Sequence, residues 1–113
     1  MPKHYEELLK HILDECDFIL SEITPDSTKD DLLDNETLKR AIVRSLEIIG
    51  EASKKIPADV KNQWKGIPWK NMAGMRDKLI HDYFGINYSI VWDVVKNKIP
   101  ELTEQINKVL KNK

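Results

Sequence analysis

Side chains that can do chemistry are concentrated within eight residues of the sequence: Arg76, Asp77, His81 and Tyr83. On an α-helix at 100° per residue, Arg76 falls in the middle of an apolar face, where a guanidinium must be paired or face a cleft. Asp77 and His81 are four residues apart on the opposite face, where a carboxylate beside the imidazole fixes its tautomer and favours its charged form. His81 is therefore a candidate acid or base, and the alternative is a surface histidine at a helix end.

The arrangement Arg76-x4-His81-x-Tyr83 resembles the R-x4-H-x-Y signature of HEPN domains, specifically the HepT-like toxin family. Other segments also match in the same order, so that the resemblance covers roughly residues 36–103. These segments are residues 48–52, 67–69, 73–76, 83–85 and 91–92. The chain carries Asp82 where relatives often carry glycine or another small polar residue.

The resemblance implies a homodimer with a composite cleft at the two-fold axis, lined by Arg76 and His81 of both chains. It implies a metal-independent endoribonuclease that cleaves RNA (tRNA or mRNA) and needs no cofactor. It also implies a partner, a minimal nucleotidyltransferase (MNT) antitoxin. In this family the antitoxin adds AMP to the motif tyrosine, which is Tyr83 in this sequence.

Two interpretations of a different class stay open. HEPN domains also occur without nuclease activity, so the chain could be a helical binding module that docks a nucleotidyltransferase or a nucleotide. Alternatively, the chain is a dimeric scaffold in which Arg76 forms a buried structural ion pair. The intact set of Arg76, His81 and Tyr83 favours the enzyme.

Metal-free RNA cleavage requires groups of these types. A base takes the proton of the 2′-hydroxyl, an acid protonates the leaving 5′-oxygen, and a cation holds the charged phosphate. His81 suits either proton-transfer role, and Arg76 can bind a phosphate through two parallel hydrogen bonds. Five residues of regular helix separate the two by about 140°, so either the helix distorts or the two side chains come from different protomers. Glu51 is a candidate partner for Arg76, and Asp77 and Tyr83 are supporting residues.

The charge distribution predicts where RNA would bind. Residues 1–38 hold three Lys and eleven Asp or Glu, a net charge of −8, whereas residues 39–78 hold ten Lys or Arg and four acids, a net charge of +6. The basic part contains a loose run of lysines at positions 54, 55, 61, 65 and 70. The candidates for RNA binding are Lys54, Lys55, Lys70 and Lys78, and an ordinary solvated surface is the alternative.

Other classes of site are disfavoured. The single Cys16 excludes a disulfide framework and a multi-cysteine zinc site, and its place in an apolar stripe indicates a buried residue rather than a reactive thiol. His4 and His11 have no third ligand at a convincing spacing, so no metal site is predicted. Trp64 and Trp69 could stack a base, but packing at a helix junction is the more common role. No apolar run approaches the ~20 residues of a membrane span, which predicts a cytoplasmic protein without membrane contact.

Apolar periodicity predicts the elements that carry these residues. The 113 residues suit one domain, 1–113. Apolar residues at three- and four-residue steps predict helices before Pro25, from a cap at Asn35 to Pro57, from Pro68 to about residue 83, and after a cap at Asn87. A short helix is expected over 58–64, and Pro100 is expected to kink or break the last helix. The fold class is therefore all-α, an antiparallel up-and-down four-helix bundle (HEPN-like) with a short extra helix.

Overall fold

The computed structural model describes residues 4–81 and 85–111, with side chains at all of these positions except 4, 76 and 78–81. The helices run in the following order: α1 (His4–Glu22), α2 (Lys29–Leu33), α3 (Glu36–Lys55), α4 (Ala58–Gln63), α5 (Trp69–His81), α6 (Tyr88–Asp93), a π-helical turn (Val94–Lys98) and α7 (Ile99–Lys111). Residues 4–81 and 85–111 contain no β-strand. The predicted all-α bundle is confirmed.

The apolar stripes of the sequence become one core. α3 packs against both α1 and α5, and α1 also packs against α7. The side chains with no exposed surface on α1 and α3 include Leu9, Ile12, Cys16, Ile19, Ile42, Leu46 and Ile49. Burying such side chains contributes roughly 1.5–3 kcal/mol each relative to leaving them in water. The core therefore fixes α5 through its packing on α3.

Side-chain caps set the helix starts that the sequence predicts. Asn35 caps α3 by accepting a hydrogen bond from the Leu38 amide at 3.0 Å, and Asn87 caps α6 by accepting from the Ser89 and Ile90 amides. Such caps satisfy amides that have no partner within the helix. The one-turn helix α2 was not predicted; Thr28 and Asp31 form a capping box that starts it.

Pro100 changes the hydrogen-bond register of the last helix instead of ending it. Proline has no amide hydrogen, and its ring crowds the carbonyl four residues earlier. The Ile99 amide bonds the Val94 carbonyl, five residues back, and the π-helical turn Val94–Lys98 ends just before α7. The predicted break near Ile99 is thus a π turn, and the apolar seam continues through it to Ile99, Leu102 and Ile106, all buried.

In the described part of the chain, no helix is both long enough and apolar enough to cross a membrane.

Candidate active site

Helix α5 carries the predicted catalytic pair and begins in a tightly bonded turn. Pro68 lies just before it and accepts a hydrogen bond from the Met72 amide at 3.0 Å. Trp69 is buried, and its indole N–H donates to the Trp64 carbonyl at 3.1 Å. The packing interpretation of these tryptophans is confirmed for Trp69, since its ring lies in the core. On the next turn Met72 is buried as well, so this end of α5 is fixed by the core.

The backbone of α5 is α-helical from Trp69 through His81. Arg76 and His81 therefore lie on one regular helix, about 140° apart around its axis and about 7.5 Å apart along it. The sequence left two ways for these residues to reach one phosphate: a distorted helix, or contributions from different protomers. The backbone of α5 shows no distortion within residues 76–81. The side chains of Arg76, Lys78 and His81, and the whole of Tyr83, lie outside what the structure describes.

Asp77 is joined to the neighbouring helix by an ion pair. Its Oδ1 accepts a hydrogen bond from Lys54 Nζ on α3 at 3.1 Å, and both side chains are nearly half exposed. An exposed pair of this kind contributes about 0–1 kcal/mol to stability. Its main effect is to hold the Lys54 and Asp77 side chains next to each other. Two predicted site residues are thereby brought together, although the sequence assigned Asp77 to support His81 and Lys54 to bind RNA.

Glu51 and Gly50 lie side by side on α3 but in different surroundings. Gly50 is buried inside the bundle. Glu51 is exposed. Its pairing with Arg76 stays a prediction, because the Arg76 side chain is outside the described residues.

An open depression of about 700 Å³ lies beside the first half of α5. Four of its lining side chains are lysines, namely Lys54, Lys61, Lys65 and Lys70. The rest of the lining is neutral and consists of Ile67, Pro68, Trp69, Asn71 and Ala73. We call this feature the lysine depression.

The structure places some of the lysines predicted to bind RNA in the lysine depression and others outside it. Lys54 and Lys70 line the lysine depression, whereas Lys55, the neighbour of Lys54 on α3, is exposed and is not part of the lining. Lys61 and Lys65 belong to the depression although they were not among the four chosen candidates. In the sequence, Lys61 and Lys65 were marked only by their place in the run of lysines. Such a run does not show which of its side chains lie close together in the fold.

The described part of the chain contains one cysteine, Cys16. Cys16 is fully buried in α1, and burial raises the pKa of its thiol from 9.0 to about 12, against a smaller opposing effect of its hydrogen bond with Thr103. The prediction of a buried cysteine is confirmed. Among the described residues, no group of three or more His, Cys, Asp or Glu is arranged to hold a metal ion.

The sequence profile of the family described as "Ribonuclease HepT-like" matches residues 12–109 of this chain. The chain belongs to the HepT-like ribonuclease family. The resemblance seen in the R-x4-H-x-Y motif is thereby confirmed, and the matched region extends beyond residues 36–103 at both ends.

Proteins of known name show how far the likeness to other HepT-like chains extends. A protein of Caldanaerobacter subterraneus subsp. tengcongensis named "Putative RNase" is 49% identical over 90% of each chain. A Methanocaldococcus jannaschii protein with the same kind of name is 45% identical over 94% of this chain and 84% of its own. The "Probable ribonuclease HepT" of Thermococcus cleftensis is 41% identical over 98% of this chain and 100% of its own. No solved structure matches the chain.

The reactivity of the Cys16 thiol gives a test of the packing of α1 in the core. At pH 8 and at pH 10 the native protein should react only very slowly with Ellman's reagent, because the thiol is buried and stays protonated until about pH 12. The unfolded chain should release one equivalent at once. Since the folded-state pKa is the higher one, Cys16 contributes stability that is complete below about pH 9 and is lost as the pH rises towards 12. Rapid reaction of the native protein at pH 8 would show that α1 is not packed as described.

Proposed function

We propose that this chain is the toxin of a HEPN/MNT toxin–antitoxin pair, a metal-independent endoribonuclease whose active site is built on Arg76, His81 and Tyr83. Membership of the HepT-like family and the RNase names of its relatives support a ribonuclease. The observation that carries the proposal is the presence of the Arg76 and His81 pair on one regular helix of such a chain. The substrate is RNA, either tRNA or mRNA, and the site of action is the cytoplasm.

The helix geometry supports an active site shared between two copies of the chain. Positions 76 and 81 lie about 140° apart around the axis of α5, so the two residues of one helix are poorly placed to meet at one phosphate. A two-fold axis beside α5 would instead bring Arg76 of one protomer to His81 of the other. The homodimer is therefore part of the proposed mechanism.

The proposed reaction is a transesterification within the RNA. The 2′-oxygen attacks the adjacent phosphorus after its proton passes to a neutral His81 imidazole, and the bond from phosphorus to the 5′-oxygen breaks. The imidazolium formed in this way then protonates that leaving oxygen, so that one His81 acts first as the base and then as the acid. The products are a 2′,3′-cyclic phosphate and a 5′-hydroxyl. Arg76 binds the non-bridging phosphate oxygens as negative charge builds on them.

Tyr83 is the proposed point of control. It follows the end of α5 by two residues, close in the chain to His81. The antitoxin would join the tyrosine oxygen to the α-phosphorus of a nucleoside triphosphate, releasing pyrophosphate and the phenolic proton. The added AMP places a negative phosphate beside the proposed catalytic pair and repels RNA from it.

The first test is cleavage of total RNA, with EDTA present, by the wild-type chain and by His81→Ala. We expect cleavage by the wild type and a loss of about 100-fold or more in the variant, the usual contribution of an acid–base group. The matched control is His11→Ala, since His11 is an exposed histidine on α1. It should cleave like the wild type.

The same assay separates the enzyme from the binding module. Intact RNA after incubation with wild-type protein whose mass shows an unmodified Tyr83 would favour the docking module. Equal losses in His81→Ala and His11→Ala would deny His81 its proposed role.

A second test asks whether the site is shared. Arg76→Ala chains and His81→Ala chains, each inactive alone, are unfolded together and refolded as a mixture. If the sites are shared, half of the dimers are mixed and each has one complete site, so about a quarter of wild-type activity should return. If both groups act within one chain, the mixture should stay inactive, which would contradict the shared site.

A third test locates the modification. Incubation with the antitoxin and ATP should add one AMP per wild-type chain and abolish RNA cleavage. Tyr83→Phe should gain no mass, because it lacks the hydroxyl acceptor. Tyr88→Phe is the matched control, a half-buried tyrosine on α6 whose loss should leave the modification intact. AMP addition to Tyr83→Phe would show that another residue is the acceptor.

A further inference from the structure

We propose that the lysine depression is an RNA-binding subsite, separate from the catalytic pair, that holds the phosphates of the strand beside the cleavage point. This rests on the proposed function and specifies where the substrate lies. The subsite consists of Lys54, Lys61, Lys65 and Lys70 around the turn at Ile67 and Pro68.

The charge of the depression matches a polyanion. Its lining has four ammonium groups and no carboxylate. Lysine binds phosphate as a compact charge on a flexible stem, so it follows a strand without demanding one geometry. Neutralising several adjacent phosphates releases condensed counterions, an entropic gain that a polyanion offers. An acidic protein offers no such gain, because each of its carboxylates would form an exposed ion pair with a lysine that contributes only about 0–1 kcal/mol.

The turn at the bottom of the depression is held from two sides. Gln105 on α7 donates a hydrogen bond to the Gly66 carbonyl at 2.9 Å, and the Trp69 indole donates to the Trp64 carbonyl. Ile67 and Trp69 are buried below the surface, while Pro68 is exposed. The lysines therefore surround a fixed, partly apolar surface that a sugar or base can contact while its phosphates are bound.

The strip of α5 that begins in the depression continues towards position 81. Lys70, Ala73 and Asp77 follow one another at three- and four-residue steps on one strip of the helix, and His81 is the next position on that strip. Ala73 and His81 are about 12 Å apart along the helix axis. A strand bound by the lysines can thus continue directly to His81.

The ion pair between Lys54 and Asp77 lies on this path. Asp77 alone would repel a phosphate moving along the strip, and the Lys54 ammonium at 3.1 Å offsets that charge. Part of the Lys54 charge is used in this way. Lys61 and Lys65, which flank the turn, are therefore the better positions at which to test phosphate binding.

The test compares two double variants in a His81→Ala background, so that RNA stays intact during binding measurements. Lys61→Ala/Lys65→Ala removes two charges from the lysine depression. Lys10→Ala/Lys111→Ala removes two exposed charges from α1 and α7, outside the lining, and gives the same net charge. Binding of a short labelled single-stranded RNA is followed by fluorescence anisotropy as a function of salt.

For the lysine depression variant we expect the slope of log affinity against log salt to fall by about 1.4, since each phosphate contact to a single strand contributes about 0.7. Raising the salt from about 50 to about 200 mM should then cost the parent about sevenfold more affinity than this variant. The control variant should keep the parent's slope. Equal slopes in the two variants would overturn the proposal, as would weaker binding of an acidic partner protein with unchanged binding of RNA.

Cleavage by the same double variants with His81 intact separates this proposal from the proposed function. Loss of the lysines should lower kcat/KM and leave kcat near the parent value, because the subsite binds but does not react. If the parent cleaves RNA and both variants match it, the subsite is wrong and the nuclease stands. If the parent does not cleave RNA, the nuclease is wrong, and the salt slopes still decide whether the depression binds RNA.

Discussion

An α-helix turns by 100° per residue, and this regularity governs what the motif can do. Because α5 stays helical from Trp69 through His81, the spacing of Arg76 and His81 fixes where the two positions lie around the helix axis. A spacing of four would have placed both on one strip for use by a single chain. A spacing of five instead spreads the two positions over two faces, which supports the proposed site shared between two chains. The sequence spacing is thus itself an argument for a dimer.

The rest of the bundle places α5 and leaves one strip of it accessible. α3 packs against both α5 and α1, and its buried residues include the small ones Ser45, Gly50, Ala52 and Ser53. The turn before α5 is bonded to α7 through Gln105. Lys70 and Ala73, at the start of the strip that runs towards position 81, line the lysine depression. One side of α5 therefore packs in the core, as at Met72, while another side borders the depression, as at Lys70 and Ala73.

Periodicity and capping chemistry predicted the helices well, since burial on one face and cap residues such as Asn35 and Asn87 are local signals. The effect of Pro100 was only half predictable. A missing amide shows that the α-register must change, but only the surrounding packing decides between a break and a π turn. The motif gave the candidate catalytic residues through resemblance. The pairing of Lys54 with Asp77, and the separation of Lys54 from Lys55, depend on how α3 meets α5, and no local pattern contains that information.

The net charge of −1 is the sum of an acidic and a basic part of the chain, and this separation of charge suits the proposed RNA substrate. The first 38 residues carry −8 and form α1, α2 and the entry to α3, whereas residues 39–78 carry +6 and supply every lysine of the depression. A polyanion approaching such a molecule is repelled from the acidic helices and attracted to the basic ones, so encounters are directed before any specific contact forms. If AMP is added to Tyr83 as proposed, its phosphodiester places one negative charge near the end of α5 and weakens the attraction for a polyanion without cancelling the charge of the four lysines.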